Sequence, residues 1–183
     1  MKTHISILRG INVSGQKKIL MADLKELYET LGFTNVVTYI QSGNVLFNSD
    51  KKYSESELIA QIENAIQEKY DFQVPILVFT IEFLKNIVLN NPFIKEKEID
   101  IEKLHVTYLA EIPAKDKLEE IKKFDFSPDR FTIVDKTVYV YCPGGYGNTK
   151  LSNSFFESKF KVKATTRNWK TTLKLMEIYS ISF

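Results

Sequence analysis

The sequence predicts an α+β protein built from two ferredoxin-like (βαββαβ) units, each a mainly antiparallel sheet with helices packed on it, plus a C-terminal helix. Three observations carry this. Over the first 80 residues, apolar positions recur with strand and helix periods in the order strand, helix, strand, strand, helix, strand. His105-Val-Thr-Tyr-Leu109 then echoes His4-Ile-Ser-Ile-Leu8 position by position, and the same order begins again. A chain of 183 residues, 44% hydrophobic and 26% charged, can fill one core or two small ones.

In the first half, Ile5 and Ile7 share one face of a strand over 3–8, and a glycine-bearing loop over 9–20 follows. Met21, Leu24, Leu27, Tyr28 and Leu31 fall at helical spacing, and Gly32 stops that helix. The β-rich runs 35–41 and 44–48, split by Ser42-Gly43, read as a hairpin. Leu58, Ile59, Ile62, Ala65 and Ile66 form a second amphipathic helix, and 73–80 is an apolar strand. In the second half, a strand around Val106 leads to a helix over 114–123 and a hairpin of 130–135 with 137–142. A helix over 150–158, a strand over 161–165 and a terminal helix over 168–179 complete it. The charged stretch 95–101 links units expected at 1–94 and 95–183, and its modest length predicts packed units.

Composition excludes several classes. One cysteine, Cys142, rules out a disulfide framework and a thiolate metal cluster, which points to a reducing, cytoplasmic location. No run of about 18 apolar residues is present, so no membrane span is expected, and the first residues lack the apolar stretch of a signal peptide. The formal net charge of +2 hides an asymmetry. Residues 1–20 hold four basic and no acidic side chains, and 143–183 hold seven basic and two acidic. Basic ends of this kind favour an anionic partner.

Glycine and arginine are scarce, so their positions are informative. Six of the seven glycines lie in three segments, around Gly10 and Gly15, at Gly43, and at Gly144, Gly145 and Gly147. The first segment runs from a strand into a helix, where backbone N–H groups and the helix N-terminus attract anions. Arg9 adds a planar donor fork, Lys17 and Lys18 add charge, and Asn12, Ser14 and Gly15 add donors. The spacing matches neither a dinucleotide nor a P-loop fingerprint. The second segment sets Gln41, Ser42 and Asn44 between apolar strands, as turn chemistry, a polar network or ligand contacts.

The third segment, Tyr139-Val-Tyr-Cys-Pro-Gly-Gly-Tyr-Gly-Asn-Thr-Lys150, resembles a strand, a loop and a helix start, with Lys150 in the first turn. Asn148 or Thr149 could cap that helix. The order Asn-Thr-Lys-Leu argues against Walker-type hydrolysis. Tyr139 and Tyr141 read as cross-strand packing before base stacking. In Ala164-Thr-Thr-Arg-Asn-Trp-Lys170, Trp169 is expected to anchor the terminal helix, Asn168 to cap it and Arg167 to face a ligand. His4 and His105 occupy matching strand starts without metal-ligand spacing, so no metal site is expected.

The stretches Leu8-Arg-Gly-Ile-Asn-Val, Met21-Ala-Asp-Leu, Gly32-Phe-Thr-Asn-Val, Thr38-Tyr-Ile-Gln-Ser-Gly-Asn-Val, Lys150-Leu-Ser-Asn and Thr166-Arg-Asn-Trp-Lys-Thr together resemble a bacterial family, number 1697 among the domains of unknown function. The resemblance covers nearly the whole chain and implies a small cytosolic α+β protein with a duplicated ferredoxin-like pattern. In that family the third loop often looks like Pro-Asn-Gly-x-Gly-x-Ser-Lys, where this chain has Pro143-Gly-Gly-Tyr-Gly-Asn-Thr-Lys. The resemblance implies no activity.

The residues themselves support an anion-binding module for a nucleic-acid backbone or a phosphorylated small molecule, with no cofactor. Its ligand contacts are expected at Arg9, Asn12, Ser14, Gly15, Lys17, Gln41, Ser42, Asn44, Asn148, Lys150 and Arg167. One alternative is an enzyme acting on a phosphorylated or acyl small molecule through His4, Ser42 or Lys150. Another is an interaction or assembly module, with a homodimer as one form.

Overall fold

A strand can bury side chains on both faces only if something packs on each. From His4 to Leu8, every residue of β1 (Lys2–Leu8) is buried. In the computed structural model, which describes residues 1–50 and 52–183, β1 lies inside a four-stranded antiparallel sheet. Its neighbours are β3 (Asn44–Ser49) and β4 (Ile76–Thr80), with β2 (Thr34–Tyr39) beyond β3. The strand order β2-β3-β1-β4 is that of a ferredoxin-like unit. Two helices, α1 (Met21–Thr30) and α2 (Glu55–Tyr70), cover one face. Leu24, Leu27 and Tyr28 from α1 and Leu58, Ile62 and Ile66 from α2 join Leu8, Val45, Phe47 and Val78 in one core. The Tyr28 hydroxyl reaches the Ser6 Oγ at 2.7 Å, so the polar atoms of that buried pair satisfy each other. Ser54 starts α2 with a capping box to Glu57.

The second unit repeats the plan. It contains β5 (Leu104–Leu109), β6 (Arg130–Val134), β7 (Thr137–Tyr141) and β8 (Ala164–Asn168) in the order β6-β7-β5-β8, again antiparallel. Its helices α4 (Lys115–Ile121) and α5 (Asn153–Phe160) bury Ile121, Phe156 and Phe160 against Leu109, Val138 and Val140. The duplicated pattern and the C-terminal helix are therefore present, the latter as α6 (Trp169–Ser182).

Three elements depart from expectation. A further helix, α3 (Ile81–Leu89), follows β4 directly, where the sequence reading assigned nothing. The helix α5 starts at Asn153 because Ser152, not Asn148 or Thr149, is its cap, accepting from the Phe155 N–H at 3.2 Å. The strand expected over 161–165 is β8, shifted toward the C-terminus, because Lys161 takes a left-handed conformation that ends α5.

By contacts the chain divides into Met1–Lys85 with Leu175–Phe183, and Asn86–Lys174. Each sheet falls in one unit, as a division at 94/95 also has it, but the flanking segments are apportioned differently. Residues 86–94 join the second sheet, where the Tyr139 hydroxyl donates to the Ile87 carbonyl at 3.1 Å and Phe93 lies 6.3 Å from the Tyr141 ring. The end of α6 groups with the first unit, where the Lys85 ammonium lies 4.9 Å from the Tyr179 ring centroid. Among the described residues no helix is long and apolar enough to cross a membrane.

One glycine is essential to the first unit. Gly43 sits at φ +77°, and a Cβ there would lie 2.6 Å from the Ile11 Cδ1 and 2.8 Å from the Leu8 Cβ. Gly144 has open space and no left-handed φ. We expect Gly43→Ala to lower unfolding free energy by about 2–4 kcal/mol and Gly144→Ala to change it by less than about 0.5 kcal/mol. Urea denaturation of both variants checks this, and equal midpoints would refute the close-approach account.

Candidate functional site

The loop over 9–20 leaves the sheet under tight control. The Leu8 N–H donates to the Gly43 carbonyl at 2.8 Å and the Arg9 N–H to the Pro75 carbonyl at 3.0 Å. Gly10, Asn12, Ser14, Gly15 and Lys17 then all take positive φ, from 45° to 76°. Such a concentration of left-handed residues coils the backbone tightly, with the Asn12 N–H donating to the Lys17 carbonyl at 3.2 Å and the Gln16 N–H to the Val13 carbonyl at 2.9 Å. Asn12 makes the coil possible. Its amide donates to the Ile19 carbonyl at 2.9 Å and the Gln41 carbonyl at 2.8 Å, and its Oδ1 accepts from the Ile19 N–H at 2.9 Å. Ile11 and Ile19, both buried, pin the loop to the core. The Lys17 ammonium donates to the Gln73 carbonyl at 2.7 Å. What remains on the surface is Gly10, Val13, Ser14, Gly15, Gln16, Lys18 and Leu20. The Ser14 and Gly15 N–H groups meet no acceptor among the described residues, and no side chain caps α1 behind them.

The β2–β3 turn completes this corner. Asn44, expected as a ligand contact, has no exposed surface, and its amide donates to the Tyr39 carbonyl at 3.0 Å and the Ser42 Oγ at 3.2 Å. It shapes the turn from within, as Asn12 shapes the loop. Gln41 stays exposed and Ser42 half-buried. Ile40 takes φ +51° while 44% exposed, a strained conformation for a β-branched residue. The first unit thus brings together Arg9, Asn12, Ser14, Gly15, Lys17, Gln41, Ser42 and Asn44, with the two asparagines as its internal fastenings.

Asn148, Lys150 and Arg167 belong to the second unit, and there the sheet keeps Arg167 from the other two. Arg167 pairs with Val106 in register, so it shares a face with Val106 and Tyr139, whereas Thr166 projects to the opposite face. The glycine loop is tied to that opposite face, because the Tyr146 hydroxyl donates to the Thr166 Oγ1 at 3.0 Å. Burial pushes the Arg167 guanidinium down to about 10, and it donates to the Thr166 carbonyl at 3.0 Å. Lys150 precedes the Ser152 cap instead of lying in the first helical turn. It lines a cleft of about 280 Å³ with Asn148, Gly144 and Gly145, facing Asp125 and Asp129. Two carboxylates there oppose anion binding by one ammonium.

The repeat does not duplicate the first loop. Its counterpart after β5, residues 110–114, contains no glycine, while the third glycine segment follows β7 at the other end of its sheet.

Other groups find structural employment. Tyr139 is buried and Tyr141 half-buried, as packing predicts. Asn168 caps α6, accepting from the Thr171 N–H at 2.7 Å, and Trp169 is buried. Burial raises the Cys142 thiol away from its reactive thiolate form. His105 stacks on Tyr146 at 4.6 Å. No metal-binding cluster of acidic, histidine or cysteine side chains occurs among the described residues. Sequence reasoning passed over Arg130, which pairs with Glu96 at 2.8 Å and lies 5.1 and 5.3 Å from the Phe93 and Tyr141 ring centroids. The signal available was its place at a strand start, opposite an aromatic residue.

A family model described as "Protein of unknown function (DUF1697)" matches residues 1–139. Among solved structures, a conserved bacterial protein from Streptococcus pneumoniae, SP0830, is similar with a TM-score of 0.76 at 21% identity. That match covers 97% of this chain and 98% of the other. No curated protein matches.

His4 carries a measurable consequence. It is buried on the helix-covered face, stacked on Phe47 at 5.7 Å, and neither ring nitrogen has a hydrogen-bond partner among the described residues. Burial, and secondly the charge of Lys2, push it down to about 4. The folded state therefore holds it neutral, while the unfolded chain takes up a proton near its usual value. Its contribution is complete above about pH 6.5 and is lost as pH falls toward 4. We expect wild type to lose about 2–3 kcal/mol relative to His4→Leu between pH 7 and pH 4. Chemical denaturation of both across that window checks it, and parallel pH profiles would refute it.

Proposed function

Because the chain belongs to the DUF1697 family of proteins of unknown function, whose description assigns no activity, we propose from the site alone that it binds an anionic, phosphate-bearing ligand at the loop over 9–20. The observation that carries this reading is the pair of Ser14 and Gly15 N–H groups that meet no acceptor among the described residues, in a loop of left-handed residues before α1, whose start no side chain caps. Unengaged loop N–H groups suit an anion by direct donation, and the start of α1 after Leu20 adds the helix dipole. Lys18 supplies exposed positive charge, and Arg9, Lys17, Gln41 and Ser42 border the same corner. Asn12 and Asn44 hold that geometry. Asn148 and Lys150 are secondary in this reading because of the adjacent Asp125 and Asp129. Arg167 serves the fold. The buried, neutral His4 offers no acid–base partner, so binding is favoured over catalysis. A cytoplasmic location accords with the lone, buried Cys142.

Titration with a nucleotide panel and with single-stranded RNA and duplex DNA oligonucleotides, at low salt, tests the reading and separates its two ligand sources. Nucleotides alone binding identifies a small phosphorylated ligand. Oligonucleotide binding that weakens steeply with salt identifies a nucleic-acid backbone. In either case Lys18→Ala is expected to weaken binding by about three- to tenfold, and Gly15→Val by more. Lys150→Ala is expected to leave it unchanged. No binding to any probe, or binding indifferent to both loop variants, refutes the proposal.

A further inference from the structure

The two units differ where a helix meets the edge of its sheet. In the first, α1 has 10 residues and packs on the outer strand β2, burying Phe33 and Val36. In the second, α4 has only 7, and the counterpart strand β6 is half-exposed. The shorter helix leaves an apolar groove of about 680 Å³ floored by Leu118, Ile121, Phe131 and Ile133, with Ile112 at its rim and 61% exposed. Its volume falls in the range of about 300–1,000 Å³ typical of ligand sites.

The backbone beside the groove is also unpartnered. β6 is an outer strand that, among the described residues, pairs only with β7. The two-residue turn at Asp135 and Lys136 makes Val134 and Thr137 a hydrogen-bonded pair, and alternation then aims the N–H and C=O groups of Phe131 and Ile133 away from β7. The residues that line the groove thus also present free backbone groups at the edge. An occupant must satisfy both, with an extended backbone that pairs with β6 and side chains that enter the groove at every second position. The charged rim is balanced, Lys115 and Lys122 against Glu119 and Asp135, with Lys122 and Glu119 paired at 2.7 Å. That balance complements a near-neutral segment and not a polyanion.

We propose that the β6 edge and the groove under α4 are a docking site for an extended segment of a partner protein. The segment is near-neutral, carries bulky apolar residues at alternate positions, and is taken up by strand addition. The site is separate from the anion-binding loop and independent of it.

A displayed library of decapeptides, apolar at every second position and random between, panned on the full chain and on Ile112→Lys and Leu118→Lys in parallel, tests this. Ile112 is exposed, so its variant does not depend on the core. The expected result is peptides that enrich on wild type and, once synthesised, lose at least about tenfold in affinity on Ile112→Lys. Their binding changes little with salt. N-methylation of alternate peptide nitrogens abolishes binding in one phase and spares it in the other. Bound peptide slows amide exchange at Phe131 and Ile133. Absence of enrichment over the two groove variants overturns the proposal, as does binding insensitive to N-methylation. Protection of the same amides by self-association, seen as a dimer in sedimentation, makes a second copy the occupant and also overturns it.

Discussion

The first unit depends on the close approach that Gly43 permits. With no side chain there, Ile11 and Leu8 pack against the turn backbone, and the Leu8 N–H reaches the Gly43 carbonyl at 2.8 Å. That contact seats the loop over 9–20 on the β2–β3 turn. Asn12 can then bridge to the Gln41 carbonyl, and Ile19 lands in the core just before α1 begins. A surface segment of left-handed residues would by itself sample many conformations, since each ordered residue costs about 1–2 kcal/mol of backbone entropy. Here that cost is met at folding by two buried isoleucines and one fully engaged asparagine. The loop's conformation is therefore set at folding.

Much of the fold was legible because it follows from periodicity. The hairpin at Ser42-Gly43, the stop at Gly32 and the cap at Asn168 are local devices, and each is where its residue type predicts. The echo between His4-Ile-Ser-Ile-Leu8 and His105-Val-Thr-Tyr-Leu109 located the second sheet. What escaped was non-local. α3 is amphipathic, with Glu82, Lys85 and Asn86 on one side and Ile81, Leu84 and Ile87 buried on the other, but it follows β4 with no turn between, so the apolar run of the strand continues into it and hides its start. Ser152 displaced Asn148 and Thr149 as a cap because those two are held elsewhere. The Asn148 amide donates to the Gly144 carbonyl at 3.0 Å and the Thr149 hydroxyl to Asp129 at 2.5 Å.

The site was half legible for a similar reason. Scarce glycines and polar residues singled out the first two segments, which the fold sets side by side through the Asn12 bond to the Gln41 carbonyl, yet residue type could not tell which side chains serve the backbone. Asn44 and Asn12 look like ligand donors in sequence, and both spend their hydrogen bonds inside the corner, Asn12 on backbone and Asn44 on the Tyr39 carbonyl and the Ser42 hydroxyl. Arg167 looked equally suited to a ligand. Strand alternation sends it to the face of Tyr139, away from the glycine loop on the other side. Charge counts carry no direction. The Lys17 ammonium keeps its charge, but it is aimed at the Gln73 carbonyl, to which it donates at 2.7 Å.

The unequal repeat shows how one plan yields two kinds of surface. After the first strand, one unit inserts a long, fastened loop and a helix that closes over the sheet edge. The other inserts a short loop without glycine and a helix of two turns that does not. Closure in the first unit buries Phe33 and Val36 and leaves polar backbone at the loop as its exposed chemistry. Openness in the second leaves apolar side chains beside a free strand edge, an arrangement that natural sheets otherwise blunt or cover. β6 carries no proline or bulge, and its pairing with β7 is regular along its length. A strand that is regular, half-exposed and apolar on its groove side presents an edge open to pairing, which is a physical reason to look there for a partner.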